Sequence, residues 1–500
     1  MNRIQPAAIH PSLFEMLEGR RLLGADLPFT YYYPEGFAND GINEFVPITN
    51  PNNTAVTFEL HARYETGERD ALIASGTIDA HSRGGVTVTR GSSERIVRPD
   101  TPYALVLKTS GEVGATMAHY DFGTAIGESF TEVTATEWSF GEGFKDPNWT
   151  RDFVLFYNPN DTAVNVVMTV YTSGGQQVIL SSTVEGQRRS GYSLNDDSRI
   201  PDGVFGMRLV ASGPIVAALS HYEIVTQRGF GAIGTPGGGA VSGVVQGIEF
   251  DNDGDPTNGN GGNVTDGPFS SPFPSNSYLT VLNTSNQAAN VRFTFGNQDN
   301  DTLPNPVRDI VVQPGTRGGL TIRDLDFPIT SEFHVIYTSD VPVTVTAGVY
   351  EGRDAIGMQA VTTAATVWTF GEGFISDDRA GAAITEDLYV FNPSGIEMTY
   401  TIEVFFNDGT VVTVPPQAPN LHPNIHPVEF RNINLHTVSE IISRAGNDAF
   451  FGIRVTLGTP GVAMFEHWDR DLGGGFSTPG TPSGTIVVLD DVLVLNSNGG

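Results

Sequence analysis

The chain carries one pattern four times. An aromatic-rich opening is followed by a strand ending in Asn and later by a strand ending in a His-aromatic-acid triplet. The opening reads YYYPEGF from Tyr31, WSFGEGF from Trp138 and WTFGEGF from Trp368. The Asn turn reads ITNPNNTAVTFEL from Ile48, FYNPNDTAVNVVM from Phe156, TVLNTSNQAANVRF from Thr280 and VFNPSGIEMTYTI from Val390. The triplets begin at His119, His221, Val349 and His467. The turn Asn stands at 50, 158, 283 and 392, so successive copies lie 108, 125 and 109 residues apart. Solenoid and propeller repeats run about 20–50 residues, so a period this long marks a whole domain.

Composition supports that division. A chain of 500 residues suits four units, each long enough to bury its own core. There is no cysteine, which excludes disulfides, zinc-thiolate sites and thiol nucleophiles. The formal charge is −30, and Lys108 and Lys145 are the two lysines. Such a surface repels phosphate backbones and anionic lipid, so neither nucleic acid nor a membrane surface is an expected partner. With 58 Gly, 31 Pro and 39% hydrophobic residues, the sequence reads as folded and turn-rich. No apolar run reaches 18 residues, so no transmembrane anchor is expected.

The second copy shows the strand pattern most clearly. Phe153–Tyr157, Asn165–Tyr171, Gln177–Val184, Gly203–Ala211 and Ile215–Tyr222 are β-branched or aromatic runs separated by Gly, Pro, Asn and Asp. Val166, Met168 and Val170 alternate with Val167, Thr169 and Tyr171, the period of a strand with one face inside. Asn158-Pro159-Asn160-Asp161 supplies turn chemistry. The expected fold is all-β: a tandem array of four antiparallel, immunoglobulin-like β-sandwich domains without the disulfide. The segments read as 1–27 (sorting or export), 28–134, 135–243, 244–365 with an acidic insert, 366–482, and 483–500, a last strand or a linker.

Three features invite chemistry. Glu35, Glu142 and Glu372 of the openings occur in the copies that carry His119, His221 and His467, whereas copy three has Val349 and a decayed opening, QGIEFDNDG from Gln246. That joint loss predicts that the two side chains meet as a carboxylate–imidazole clasp that fixes register, with a repeated ligand site as the competing reading. Tyr31, Trp138 and Trp368 are expected to anchor cores rather than stack on sugars. Asp251, Asp253 and Asp255 place three carboxylates where a calcium loop would begin, but Pro256 and Gly262 break the EF-hand pattern. The alternative is a solvated acidic insert. His422, His426 and His436 cannot form a zinc helix, because Pro423 and Pro427 interrupt it. No nucleophile elbow, phosphate loop or deaminase pattern is present.

Two resemblances extend this reading. Residues 12–23 can form an amphipathic helix, and Phe14, Glu15, Leu17, Glu18, Arg20, Leu22, Leu23 and Ala25 resemble the N-terminal motif of many planctomycete cell-surface proteins. That resemblance implies export or envelope sorting. The opening, the N-P turn and the polar strands at Ala80, Glu185 and Gln313 resemble a bacterial extracellular repeat with no assigned activity. Together they imply a non-catalytic, secreted or surface-attached protein with a structural, adhesive or display role, its partner an extracellular protein or glycan. The alternative is an array of calcium-dependent or carbohydrate-binding modules. An enzyme would need a cleft at a domain junction.

Overall fold

Alternating burial sets the strands. Over Val164–Thr172, Val166, Met168 and Val170 point inward while Asn165 and Val167 face water. Val56–Tyr64 alternates in the same way along its whole length. The computed structural model describes residues 26–493 except 67–69, 92, 249–275, 298–304, 326–332, 352–353, 377–383, 416–423, 445–448 and 470–473. Within them the protein is a set of four two-sheet antiparallel sandwiches, with only short helical turns.

The second repeat shows the plan. One sheet runs Gln177–Val184, Val164–Thr172, Gly203–Glu223, Ala135–Phe140; the other runs Arg188–Ser193, Thr150–Asn158, Gly203–Glu223, Arg228–Ile233. One strand therefore serves both sheets. Leu209 pairs with Met168 in the first, and Leu219 pairs with Val154 in the second. The sequence reading broke this strand at Ser212-Gly213-Pro214; the chain instead bends there and continues, 21 residues without interruption. Repeats three and four use Phe333–Glu351 and Ala449–Asp469 in the same way, whereas repeat one divides the path into Tyr103–Thr109 and Gly114–Asp121. Thr481–Val488 decides between strand and linker at the C-terminal end: it pairs with the opening strand Thr363–Phe370.

Each sandwich closes on the same Asn. Asn50 Nδ2 donates to Thr54, Ile78 and Asp79 carbonyls at 2.9, 3.0 and 2.9 Å, and its Oδ1 accepts from Asn52 N at 3.0 Å. Asn158, Asn283 and Asn392 repeat the arrangement, and all four are buried. One amide thereby satisfies a turn and staples it to the neighbouring hairpin.

Repeat three opens differently from the sequence expectation. Register aligns Gly243 with Trp138, because each stands opposite the matching residue of the long strand, Tyr337 and Leu209. The Tyr337 ring fills the space that the indole takes elsewhere; a methyl group on Gly243 would lie 2.5 Å from its Cε1. Tyr337 Oη donates to Ala240 O at 3.4 Å, as Trp138 Nε1 donates to Ala135 O at 3.3 Å. The aromatic anchor has crossed to the other strand. In the same register Gly247 stands in the place of Glu142, so the opening lies at Ala240–Ile248, upstream of the QGIEFDNDG reading.

The four sandwiches close on themselves. The strand that follows the triplet in each repeat, Thr124–Ser129, Arg228–Ile233, Asp354–Gln359 and Gly474–Pro479, is an edge strand. The first packs on the second, the second on the third, the third on the fourth and the fourth back on the first. Glycine permits the approach: a methyl group on Gly127 would lie 2.5 Å from the Phe476 ring, and one on Gly357 would collide with Phe230. An exposed sheet edge invites foreign strands. The ring turns four of them inward.

Candidate functional site

The His of each triplet sits at a fixed place in the ladder. Cross-strand register sets His119 opposite Glu44, His221 opposite Asp152 and His467 opposite Glu386. Their Nδ1 atoms lie 2.8, 2.7 and 3.1 Å from those carboxylates. Each carboxylate stands six residues before the turn Asn, and each also accepts a backbone N–H from the Phe that ends the opening motif: Phe37 at 2.7 Å, Phe144 at 2.8 Å and Phe374 at 2.6 Å. A three-part clasp therefore ties opening to triplet through a residue that belongs to neither. This corrects the expected pairing of His with Glu35, Glu142 and Glu372. Repeat three has Ser277 and Val349 facing each other at this site, so the joint loss involves this second-strand acid as well.

The clasps are dry. His119 and His221 have side-chain exposures of 1%. Burial pushes the His119 imidazole down, but Asp121, Glu44 and Glu35 around it hold it up to about 10. Burial likewise opposes His221, which Asp152, Glu223 and Glu142 hold up to about 9. Glu386 is pushed up to about 7 by burial against the pull of His467.

The opening glutamates face the next repeat. Glu142 Oε2 accepts from Arg317 Nη2 of repeat three at 2.8 Å, and Glu372 Oε2 accepts from Arg83 Nη2 of repeat one at 3.4 Å. Glu35 accepts from Ser220 of repeat two, and the charge of Arg189 from the same repeat stabilises its anion. Arg83, Arg189 and Arg317 come from the polar strand that follows the Asn hairpin. The Gly after each Glu packs against an aromatic ring, Gly36 on Tyr103, Gly143 on Phe205 and Gly373 on Phe451, with no room for a side chain. At the junction of repeats three and four Gly247 replaces the acid, and register puts Phe430 where Arg83, Arg189 and Arg317 stand, so the ion pair is lost from both sides; Arg431, one residue on, pairs with Glu429 of its own repeat at 2.9 Å. There Glu466 of repeat four reaches the gap, its Oε2 2.9 Å from where a methyl on Gly247 would lie.

One further carboxylate stands at the centre of the ring and carried no signal in the repeat pattern. Glu128 accepts from Ser129 N at 3.0 Å, from Ile233 N of repeat two at 3.3 Å and from the hydroxyl of Thr478 in repeat four. It joins three repeats, and burial pushes its pKa up to about 7.

The chain matches no family model and no curated protein. Solved structures to which parts of it are similar include Thermotoga maritima 1070, at 17% identity over 24% of this chain and 93% of that one with a TM-score of 0.19. The Anabaena sensory rhodopsin transducer is 27% identical over 17% of this chain and 82% of its own, with a TM-score of 0.16. A tetra-tandem repeat from the extending region of a large adhesion protein covers 88% of this chain and 93% of its own at 14% identity, with a TM-score of 0.11.

The remaining candidates separate. Tyr31, Trp138 and Trp368 are buried in the cores. Asp251, Asp253 and Asp255 lie outside the described residues, as does His422. His426 Nδ1 lies 3.5 Å from Glu397, and His436 Nδ1 accepts from Glu386 N at 3.1 Å, which puts the two rings on different partners. Among the described residues no group of three or more His, Asp or Glu side chains is placed to hold a metal ion, and no helix is long and apolar enough to cross a membrane.

Proposed function

We propose that this protein is a non-catalytic scaffold of the cell envelope or extracellular space, with its four sandwiches joined into a ring that displays surface loops. The observation that carries this reading is the use made of the repeated ionisable groups. His119, His221 and His467 and their acids are spent on internal clasps, and Glu142, Glu372, Arg83 and Arg317 on holding one repeat to the next. A catalytic carboxylate or imidazole needs reach to a substrate, and these have nearly none. Their repetition serves folding and closure. Function then belongs to surfaces where the copies differ, and weak contacts from several repeats on one rigid body add by avidity.

The N-terminal motif supports export, and the closed shape supports display over spacing, since a ring does not lengthen as an extended array does. Immobilised protein is expected to retain ligands from a panel of cell-wall polysaccharides, glycans and matrix proteins. Uniformly negative binding would remove the adhesive reading and leave a structural one. Recovery of the expressed chain from the envelope or medium, lost when residues 1–27 are deleted, tests the location.

A further inference from the structure

The second strand after each turn Asn ends a sheet: Ala71–Ile78, Gln177–Val184, Val307–Val312 and Val411–Thr413. The opposite edge of each of these sheets is met by the chain as it leaves the repeat, Tyr32 by Thr131, Trp138 by Pro236, Val244 by Val361 and Thr363–Phe370 by Thr481–Val488. A bare edge invites foreign strands unless a charge, a bulge or a short length blunts it. Ala71–Ile78 is bulged opposite Leu60 and His61 and lies beside Glu59 and Arg63. Val307–Val312 holds Arg308 and Asp309, the latter paired with Arg292 at 2.7 Å. Val411–Thr413 has three residues. Thr481–Val488 shifts register midway, where Gly484 has φ +74°. Gln177–Val184 has none of these devices: its eight residues include no charge, Gly or Pro, and it pairs with Val164–Thr172 without a break. The face beside it is uncharged as well. Val167, Ile179 and Val210 are 40%, 63% and 41% exposed, and the other exposed residues of the two outermost strands are Asn, Gln, Ser and Thr. Register puts Val167 and Val210 where repeat one has Glu59 and Lys108 and repeat three has Arg292 and Thr338.

We propose that the Gln177–Val184 edge is an interaction surface for a second copy of this chain, the two edges pairing antiparallel about a two-fold axis. A chain with a formal charge of −30 repels its own copies over most of its surface, so self-contact is favoured where charge is absent. A two-fold contact also needs a patch that complements itself. An uncharged edge strand meets that need through its backbone hydrogen bonds. An axis at Leu180 or Ser181 uses nearly the whole strand and keeps odd-numbered side chains on one face. Glu185, the first charge beyond the strand, then meets Gly175 or Gln177 of the other copy rather than its own counterpart. The Arg208–Glu137 pair of this face stands on the third and fourth strands, behind the seam. The exposed Val167 and Ile179 of both copies form one apolar band on the joined sheet. A seam one strand wide makes a weak dimer that grows with concentration, and it leaves every clasp and junction of each ring unchanged.

Sedimentation of the full chain from micromolar to millimolar concentration tests this. The mass is expected to rise reversibly from one chain towards two, and more readily at high salt, which screens the acidic surface. Ile179→Lys with Val167→Lys sets like charges along the seam while lowering the overall negative charge, so it should weaken the dimer by about 10-fold or more. Its melting temperature in dilute solution should match that of the unaltered chain, because both side chains are exposed. Val311→Lys, on the corresponding edge of repeat three and 58% exposed, should leave the dimer as it is. A spin label on Ser181→Cys, the one thiol of such a chain, should show strong dipolar coupling between copies. A single-chain mass at every concentration, a dimer that survives the double substitution, equal disruption by Val311→Lys, or a dimer without that coupling overturns the proposal. A chain that stays single yet binds an uncharged extended peptide at this edge assigns it to a foreign strand, which overturns the second copy equally.

Discussion

A buried imidazole and a buried carboxylate are tolerated as a pair and costly apart. His221→Ala leaves the fully buried Asp152 with the Phe144 N–H but without its cation. Breaking one side of such a pair costs about 3–5 kcal/mol, so the urea midpoint should fall clearly; an unchanged midpoint would remove the clasp from the account of stability. Repeat three holds the natural counter-example, Ser277 opposite Val349. Asp152→Ser combined with His221→Val is therefore expected to cost less than His221→Ala, since no lone charge remains buried. The sequence made the His visible because it heads a repeated triplet. Its partner was harder to see because the position varies, Glu44, Asp152, Ser277 and Glu386, and only its constant distance of six residues from the turn Asn marks it. The opening glutamates were legible as recurring but their role was not, since each meets an arginine more than a hundred residues away in another repeat.

At the scale of strands, register converts one residue into a commitment by its neighbour. Gly243 and Tyr337 face each other in repeat three where Trp138 and Leu209 face each other in repeat two. Gly243→Trp alone would drive an indole into the phenol and should cost about 3 kcal/mol or more. Tyr337→Leu alone leaves a void and should cost about 2 kcal/mol. Together they recreate the arrangement of repeat two, so their losses should cancel in part, with a coupling of about 0.5–3 kcal/mol; strictly additive shifts in a melting experiment would reject the exchange of anchors. The closing strands carry a second test. Gly127→Ala presses on the Phe476 ring and on Met117 O and should cost about 1–3 kcal/mol, while Gly174→Ala, whose nearest neighbour would be 3.9 Å away, should stay within about 0.5 kcal/mol. Most strands were legible because period-2 alternation and Asn-Pro turns are local signals. The opening of repeat three was misplaced because the residue that marks the other copies, Trp138 or Trp368, is Gly243 there, and the aromatic ring that fills its place, Tyr337, stands on the facing strand.

Above about pH 6.5 the buried groups of the ring titrate with one sign, whereas below it His334, pushed down to about 3 by burial, and His61, also lowered by burial, pull the other way. Burial raises Glu35 and Glu372 above the usual carboxylate value near 4.5 and takes Glu128 and Glu386 up to about 7. Between those limits the folded ring keeps protons that the unfolded chain has released, so stability falls as pH rises through the interval. His119 and His221, held up to about 10 and about 9 by the acids around them, stay protonated in the ring when an unfolded His above about 6.5 has lost its proton. Their contribution is full below about pH 6.5 and is lost as pH approaches 9–10. The acids with lowered values, Asp197, Asp309, Asp340 and Asp408, release their protons below this range and are level across it. Melting temperature is therefore expected to peak near pH 5–6 and decline towards pH 10, and a maximum at pH 8 or above would contradict the burial of these groups. None of this was legible in a repeat read one copy at a time, because closure is made by side chains such as Glu128 that occur in a single copy. That carboxylate also separates the causes. Glu128→Gln has no charge to bury, so near pH 5 it should track the unaltered protein, and at pH 8 it should fall off less. Parallel curves for the two proteins between pH 5 and pH 8 would mean that the centre of the ring is wet, and that the decline arises at the clasps alone.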